Sequence, residues 1–114
     1  MHEGAIARNI IETLERLIAE DKIPGKVKTI NLRVGRLMAV IPENLDFLFD
    51  IMARDTALEG AKITIRTVPI RARCGVCGAD FEISEVYFLC PKCHSRKVDV
   101  LSGRELEIED VEVT

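Results

Sequence analysis

A chain of 114 residues, with 47% hydrophobic and 31% charged residues, suits one domain of ordinary size and carries too much apolar side chain for intrinsic disorder. Its formal net charge of −3 argues against general nucleic-acid affinity, which depends on Lys and Arg neutralising phosphate. No apolar run approaches the ~18–20 residues needed to cross a bilayer, and Met1-His2-Glu3 is unlike the basic start of a secretory signal, so a cytoplasmic setting with no membrane partner is expected.

Taken in chain order, residues 4–21 predict an amphipathic helix. Ile6, Ala7, Ile10, Ile11, Leu14, Leu17 and Ile18 recur at three- and four-residue steps, with Arg8, Glu12, Glu15 and Arg16 between them. Pro24-Gly25 ends that pattern. Residues 27–34 then switch to period two, with Ile30, Leu32 and Val34 on one face of a strand that Gly35 interrupts. Pro42-Glu43 begins a second helix, whose inner stripe is Leu45, Leu48, Phe49 and Met52. Gly60 stops it, and residues 61–68 alternate again as a strand, setting Ile63 and Ile65 against Lys62, Thr64 and Arg66. A strand, helix, strand succession implies a right-handed parallel crossover. Leu106 and Ile108, alternating with Glu105, Glu107 and Glu109, mark a last strand.

The predicted fold class is therefore α+β: a small mixed β-sheet with two α-helices, plus an inserted zinc-ribbon-like lobe holding four cysteines. The lobe occupies residues 73–98, and residues 1–72 with 99–114 form the α/β domain. The strands on either side of the lobe are expected to pair antiparallel.

Cys74, Cys77, Cys90 and Cys93 are all the cysteines in the chain, arranged as two Cys-x-x-Cys pairs. Two thiolates three positions apart at a tight turn reach one ion from the same side, and a second such turn completes the tetrahedral sulfur cage that zinc prefers. Iron in the same geometry is the alternative. A closed four-thiolate shell leaves no open position for water or substrate, so the reading is structural, and the lobe is expected to unfold without metal. A disulfide framework fits less well in a reducing compartment. Around the cysteines Arg71, Arg73, Lys92, Arg96 and Lys97 outnumber Asp80, Glu82 and Glu85, a small basic face within an acidic chain.

The first residues form a second candidate site. His2 is too bulky for efficient removal of the initiator methionine, so a free Met1 amine is expected beside the His2 imidazole. These nitrogens, with the intervening backbone amide, can close fused chelate rings around nickel(II) or copper(II). Glu3 offsets part of the positive end of the helix, as a plain first-turn acid would. His94, the one other histidine, directly follows the last cysteine. It reads either as a surface side chain or as a fourth nitrogen for metal held at the N-terminus.

Met1-His2-Glu3, the Val34-Gly35 break, Val40-Ile41-Pro42-Glu43-Asn44-Leu45 with Phe47 and Phe49, Gly60-Ala61, Val68-Pro69, the double Cys-x-x-Cys and Gly103-Arg104-Glu105-Leu106 together resemble the HypA/HybF family. Proteins of that family are nickel metallochaperones for maturation of [NiFe]-hydrogenase and, in some organisms, of urease. The resemblance implies that Met1, His2 and Glu3 belong to a nickel site and that the four cysteines hold structural zinc. It also implies a HypB-type nickel GTPase and a hydrogenase large-subunit precursor as partners. No enzymatic activity is expected, since neither histidine has a sequence-evident nucleophile partner and the cysteines are committed to metal. Monomer and homodimer stay open, as does the client enzyme. Two positions depart from the family pattern: Gly4, where a bulkier residue is expected, and His94, where glycine is common after the last cysteine.

The ligands themselves do not choose nickel over copper, which binds such donors more tightly, so nickel rests on the resemblance. A zinc-ribbon module contacting nucleic acid is the rival from another class. It finds one tyrosine, Tyr87, no tryptophan and a net acidic chain, poor material for stacking or phosphate contact.

Overall fold

The amphipathic stripe at the start of the chain becomes helix α1 (Glu3–Ala19), burying Ile6, Ala7, Ile10, Ile11 and Leu14. The computed structural model describes residues 2–84 and 87–114. α1 stops two residues short of the sequence expectation because Asp21 turns left-handed, at φ 57°. The Asp21 N–H then donates to the Ile18 carbonyl (3.1 Å) and the Lys22 N–H to the Leu17 carbonyl (2.9 Å). These two bonds are a Schellman closure, a position that usually selects glycine.

β1 (Val27–Gly35) follows, with Ile30, Leu32 and Val34 buried as the period-two pattern requires and Val27, out of phase with them, buried as well. A short 3-10 turn (Arg36–Met38) ends at Ala39, whose φ of 53° reverses the chain. α2 (Pro42–Met52) starts with Pro42 in its first turn, where the missing N–H costs nothing, and buries Leu45 and Phe49. The remaining strands are β2 (Lys62–Val68), β3 (Ile70–Cys74), β4 (Asp80–Ile83), β5 (Val98–Ser102) and β6 (Leu106–Val113).

The α+β class read from the sequence is the one the chain adopts, with two helices and two small sheets. The strands divide into two three-stranded sheets, ordered β2-β1-β6 and β4-β3-β5. β1 and β2 are neighbours, as the strand, helix, strand reading expects. One expectation is corrected: β2 and β6, which bracket the cysteine segment, do not pair with each other, because β1 lies between them. The long central strand offers both of its edges, and each flanking strand takes one.

The chain forms two compact units: Met1–Arg33, Val40–Arg66 and Glu107–Thr114 in the first, and Val34–Ala39 with Thr67–Leu106 in the second. In the first, α1 and α2 pack together, and Leu14, Ile30, Leu32, Leu45 and Leu58 are almost wholly removed from solvent. Burial of each such side chain contributes roughly 1.5–3 kcal/mol. β1 and β6 run antiparallel, with the Thr114 N–H donating to the Lys26 carbonyl (3.0 Å). Across this sheet Arg33 pairs with Glu107, Arg66 with Glu109 (2.8 Å), and the Asn31 amide donates to both Asp110 (2.6 Å) and Glu112 (3.0 Å). These contacts are exposed, so each adds little to stability.

In the second unit β3 is central, antiparallel to β4 and to β5. Ile70, Ala72 and Ile83 form its buried centre, packed against Leu37, Phe81, Phe88, Val98 and Val100. This sheet carries the cysteine turns. β3 ends on Cys74, opposite Val98 at the start of β5.

Candidate metal centre

Two tight turns bring the cysteines together, and the second repeats the first sixteen positions on. In the first turn the Gly78 N–H donates to the Cys74 carbonyl (3.0 Å) and the Cys74 N–H to the Ala79 carbonyl (2.8 Å). In the second, His94 donates to Cys90 (2.9 Å) and Cys90 to Ser95 (3.0 Å). Closing each turn needs a left-handed residue directly after its second cysteine. Gly78 supplies it at φ 75°, and His94 does so at φ 63°. A β-carbon there costs roughly 1–2 kcal/mol, which is why glycine is the commoner choice.

Each turn aims backbone amides at its first sulfur. The Cys74 Sγ accepts from the Val76 N–H (3.3 Å) and the Cys77 N–H (3.4 Å), and the Cys90 Sγ from the Lys92 N–H (3.4 Å). Cys74 and Cys90 are buried, while Cys77 and Cys93 face solvent. The four sulfurs lie within 4.8 Å of one another, with Cys74 to Cys93 at 3.5 Å and Cys77 to Cys90 at 3.6 Å. Tetrahedral zinc with bonds of about 2.3 Å sets its sulfurs about 3.8 Å apart, so the cage fits such an ion closely. Iron fits the same four donors.

The amides also tune the thiols. The Cys77 and then the Val76 N–H stabilise the Cys74 thiolate, bringing its pKa down to about 6. Cys90 is lowered too, chiefly through the Cys93 amide. The Ser95 N–H pulls Cys93 the same way, but hydrogen bonding with the Cys74 thiol, burial, and hydrogen bonding with Cys90 and Cys77 outweigh it and leave Cys93 at about 11. One sulfur is thus ready to bind near neutrality, while another surrenders its proton only to a metal.

The N-terminal candidates fall in the other unit. Met1 lies outside the described residues. His2 caps α1: its carbonyl accepts from the Ile6 N–H (3.1 Å), and its side chain is exposed and takes no part in the cap. Glu3 does more than a plain first-turn acid. It is 6% exposed, and its Oε2 accepts the Ile41 N–H at 2.9 Å, tying the start of α1 to the residue that precedes α2. That bond lowers the Glu3 pKa. No local pattern announces this contact, because its partners lie 38 positions apart. Gly4 sits inside the first helical turn, where a β-carbon would meet only Leu48 Cδ1 at 3.9 Å, an ordinary contact. His94 is exposed on the cysteine turn. Among the described residues, the four cysteines are the one group of three or more His, Cys, Asp or Glu side chains arranged to hold a metal ion.

The family model for HypA, described as hydrogenase/urease nickel incorporation, metallochaperone, matches residues 1–113. The chain belongs to the HypA family. A HypA hydrogenase maturation factor from Desulfatibacillum aliphaticivorans is 43% identical over 113 residues, covering 99% of this chain and 87% of the relative. That of Desulfosudis oleivorans is 42% identical, covering 99% and 98%. The fold agrees with a solution structure of HypA protein at a TM-score of 0.69 and 22% identity, covering 100% of this chain and 97% of that one. A solution structure of the Ni metallochaperone HypA from Helicobacter pylori gives 0.66 and 21%, covering 99% and 97%. The family read from the sequence is the one that matches, over residues 1–113. No described helix is long and apolar enough to cross a membrane.

Proposed function

We propose that this chain carries nickel(II) on its N-terminus and delivers it for maturation of [NiFe]-hydrogenase, with urease as the alternative client. The observation that carries the reading is the HypA match reaching from the first residue to the last strand, joined to an imidazole at His2 that is exposed and uncommitted to capping. The Met1 amine, the His2 imidazole and the intervening amide supply the nitrogen donors, and Glu3 belongs to the same site. Its carboxylate, held by the Ile41 amide, fixes the first turn of α1. A terminal set of few donors can be remodelled by a partner, which a carrier needs. A HypB-type GTPase and the hydrogenase large-subunit precursor are the partners in this reading. The chain works in the cytoplasm without catalytic activity.

The four cysteines hold zinc as a structural ion. Their closed cage leaves no position for substrate; Cys74 and Cys90 are its buried pair, and Cys74 ends β3. Residues 73–98 then act as the zinc lobe, and residues 1–72 with 99–114 as the nickel domain.

Calorimetric titration of zinc-loaded, untagged protein with nickel tests the carrier role. Saturable uptake is expected, and it is expected to disappear when residues are added ahead of Met1. Uptake that survives the extension overturns the N-terminal assignment. A His94→Ala variant with unchanged stoichiometry, affinity and spectrum removes His94 from the ligand set.

A further inference from the structure

The outward face of α2 combines apolar side chains with acids in a way that neither metal site uses. Phe47 is 65% exposed and Ile51 42%. Four positions apart on one helix, they stand side by side. Ile41, the N-cap of the same helix, is a third exposed apolar side chain, at 47%. Single exposed hydrophobics are ordinary, but Phe47 and Ile51 adjoining on one helix face suit an interaction surface.

Carboxylates run alongside. Glu43 precedes Phe47 by one turn, and Asp46 and Asp50 form the adjacent ridge, all three exposed. Asp50 has Arg54 at 3.7 Å across solvent, a weak pairing. Partial burial, followed by the charge of Glu43, raises the Asp46 pKa against the opposing pull of Lys62. The ridge therefore holds negative charge that the chain itself does not fully balance.

We propose that this face docks a cationic amphipathic helix of a partner protein. Its apolar side chains would lie on Phe47 and Ile51, with Lys or Arg against Glu43, Asp46 and Asp50. Charge selects this occupant. An anionic lipid surface or a nucleic acid would be repelled, and a second copy related by a twofold axis would set the same acids against each other. The proposal goes beyond nickel carriage and is tested without nickel.

The test titrates the zinc-loaded full-length chain with a helical Lys/Leu amphipathic peptide of about 18 residues, followed by backbone amide NMR. Shifts centred on residues 41–54 are expected. Phe47→Ser, at an exposed position, is expected to stay folded and to weaken binding about tenfold or more. Asp46→Lys combined with Asp50→Lys is expected to weaken it comparably and to flatten its dependence on salt. Shifts centred elsewhere, or variants that bind like the parent, overturn the proposal. So does capture by phosphatidylserine vesicles through Phe47, or a dimer of the free chain that Phe47→Ser dissociates.

Discussion

Gly35 and Gly103 meet backbone to backbone. A β-carbon on Gly35 would lie 2.1 Å from both the carbonyl carbon and oxygen of Gly103, and 2.6 Å from the Arg104 nitrogen. Two hydrogen bonds hold the approach: the Gly35 N–H donates to the Glu105 carbonyl (2.7 Å), and the Leu37 N–H to that of Gly103 (2.8 Å). Gly103 is itself left-handed at φ 119°, with Ile70 close beneath it. The end of β1 thus joins the strand that follows the cysteine turns at a point where neither chain tolerates a side chain.

Gly35→Ala is accordingly expected to destabilise the protein by about 3 kcal/mol or more, since backbone rather than a flexible side chain must move. Denaturant unfolding of zinc-loaded protein measures it. A loss below about 1 kcal/mol would show that the two segments part easily.

Zinc removal is expected to unfold the second unit selectively. Its buried centre is Ile70, Ala72 and Ile83, small beside the helical core. Cage formation contributes ~10–16 kcal/mol in isolated zinc-finger peptides. After chelation, amide exchange in β3 and β5 is expected to become fast while α1 stays protected. Binding near neutral pH is also expected to release protons, since Cys93 titrates near 11, but fewer than four, since Cys74 titrates near 6.

His94→Gly relieves a left-handed β-carbon and is expected to raise the stability of the zinc form by about 1 kcal/mol, leaving one zinc per chain. Thermal unfolding together with metal analysis checks both. A lost zinc would mean that the imidazole supports the cage.

Gly4→Ala places a methyl in open helical space beside Leu48 and is expected to stabilise α1 by about 0.5–1 kcal/mol. Chemical denaturation reads this directly, and destabilisation would show that the first turn depends on glycine freedom.

Glu3 carries a signed pH dependence. The Ile41 amide lowers its folded pKa below the ordinary glutamate value of about 4.3, so folding favours the ionised form. Its contribution is complete above the unfolded pKa and is lost as pH falls through the folded one. Glu3→Gln is therefore expected to be less stable than the parent at neutral pH, with the gap narrowing below about pH 4. A gap constant with pH would detach Glu3 from the Ile41 amide.

Both helices and the first two strands were legible because their apolar residues repeat at the period of the element they form. Ile10 to Leu14 and Ile30 to Val34 show it in the buried positions. The strands around the cysteines are less legible, although Ile70, Ala72 and Cys74 alternate inward along β3. Arg71 and Arg73 between them give this short segment the character of a basic face, and three inward positions make a weak repeat.

Local chemistry decided much in advance. Two Cys-x-x-Cys turns specify a sulfur cage whatever surrounds them, because each motif closes on its own backbone, and helical or strand periodicity needs only neighbouring residues. Tertiary structure alone decided that β1 separates β2 from β6, that Glu3 reaches the Ile41 amide and that Gly35 presses on Gly103. Each of these joins residues far apart in the chain, and such pairings follow from how packed layers share edges and space, which no local repeat records.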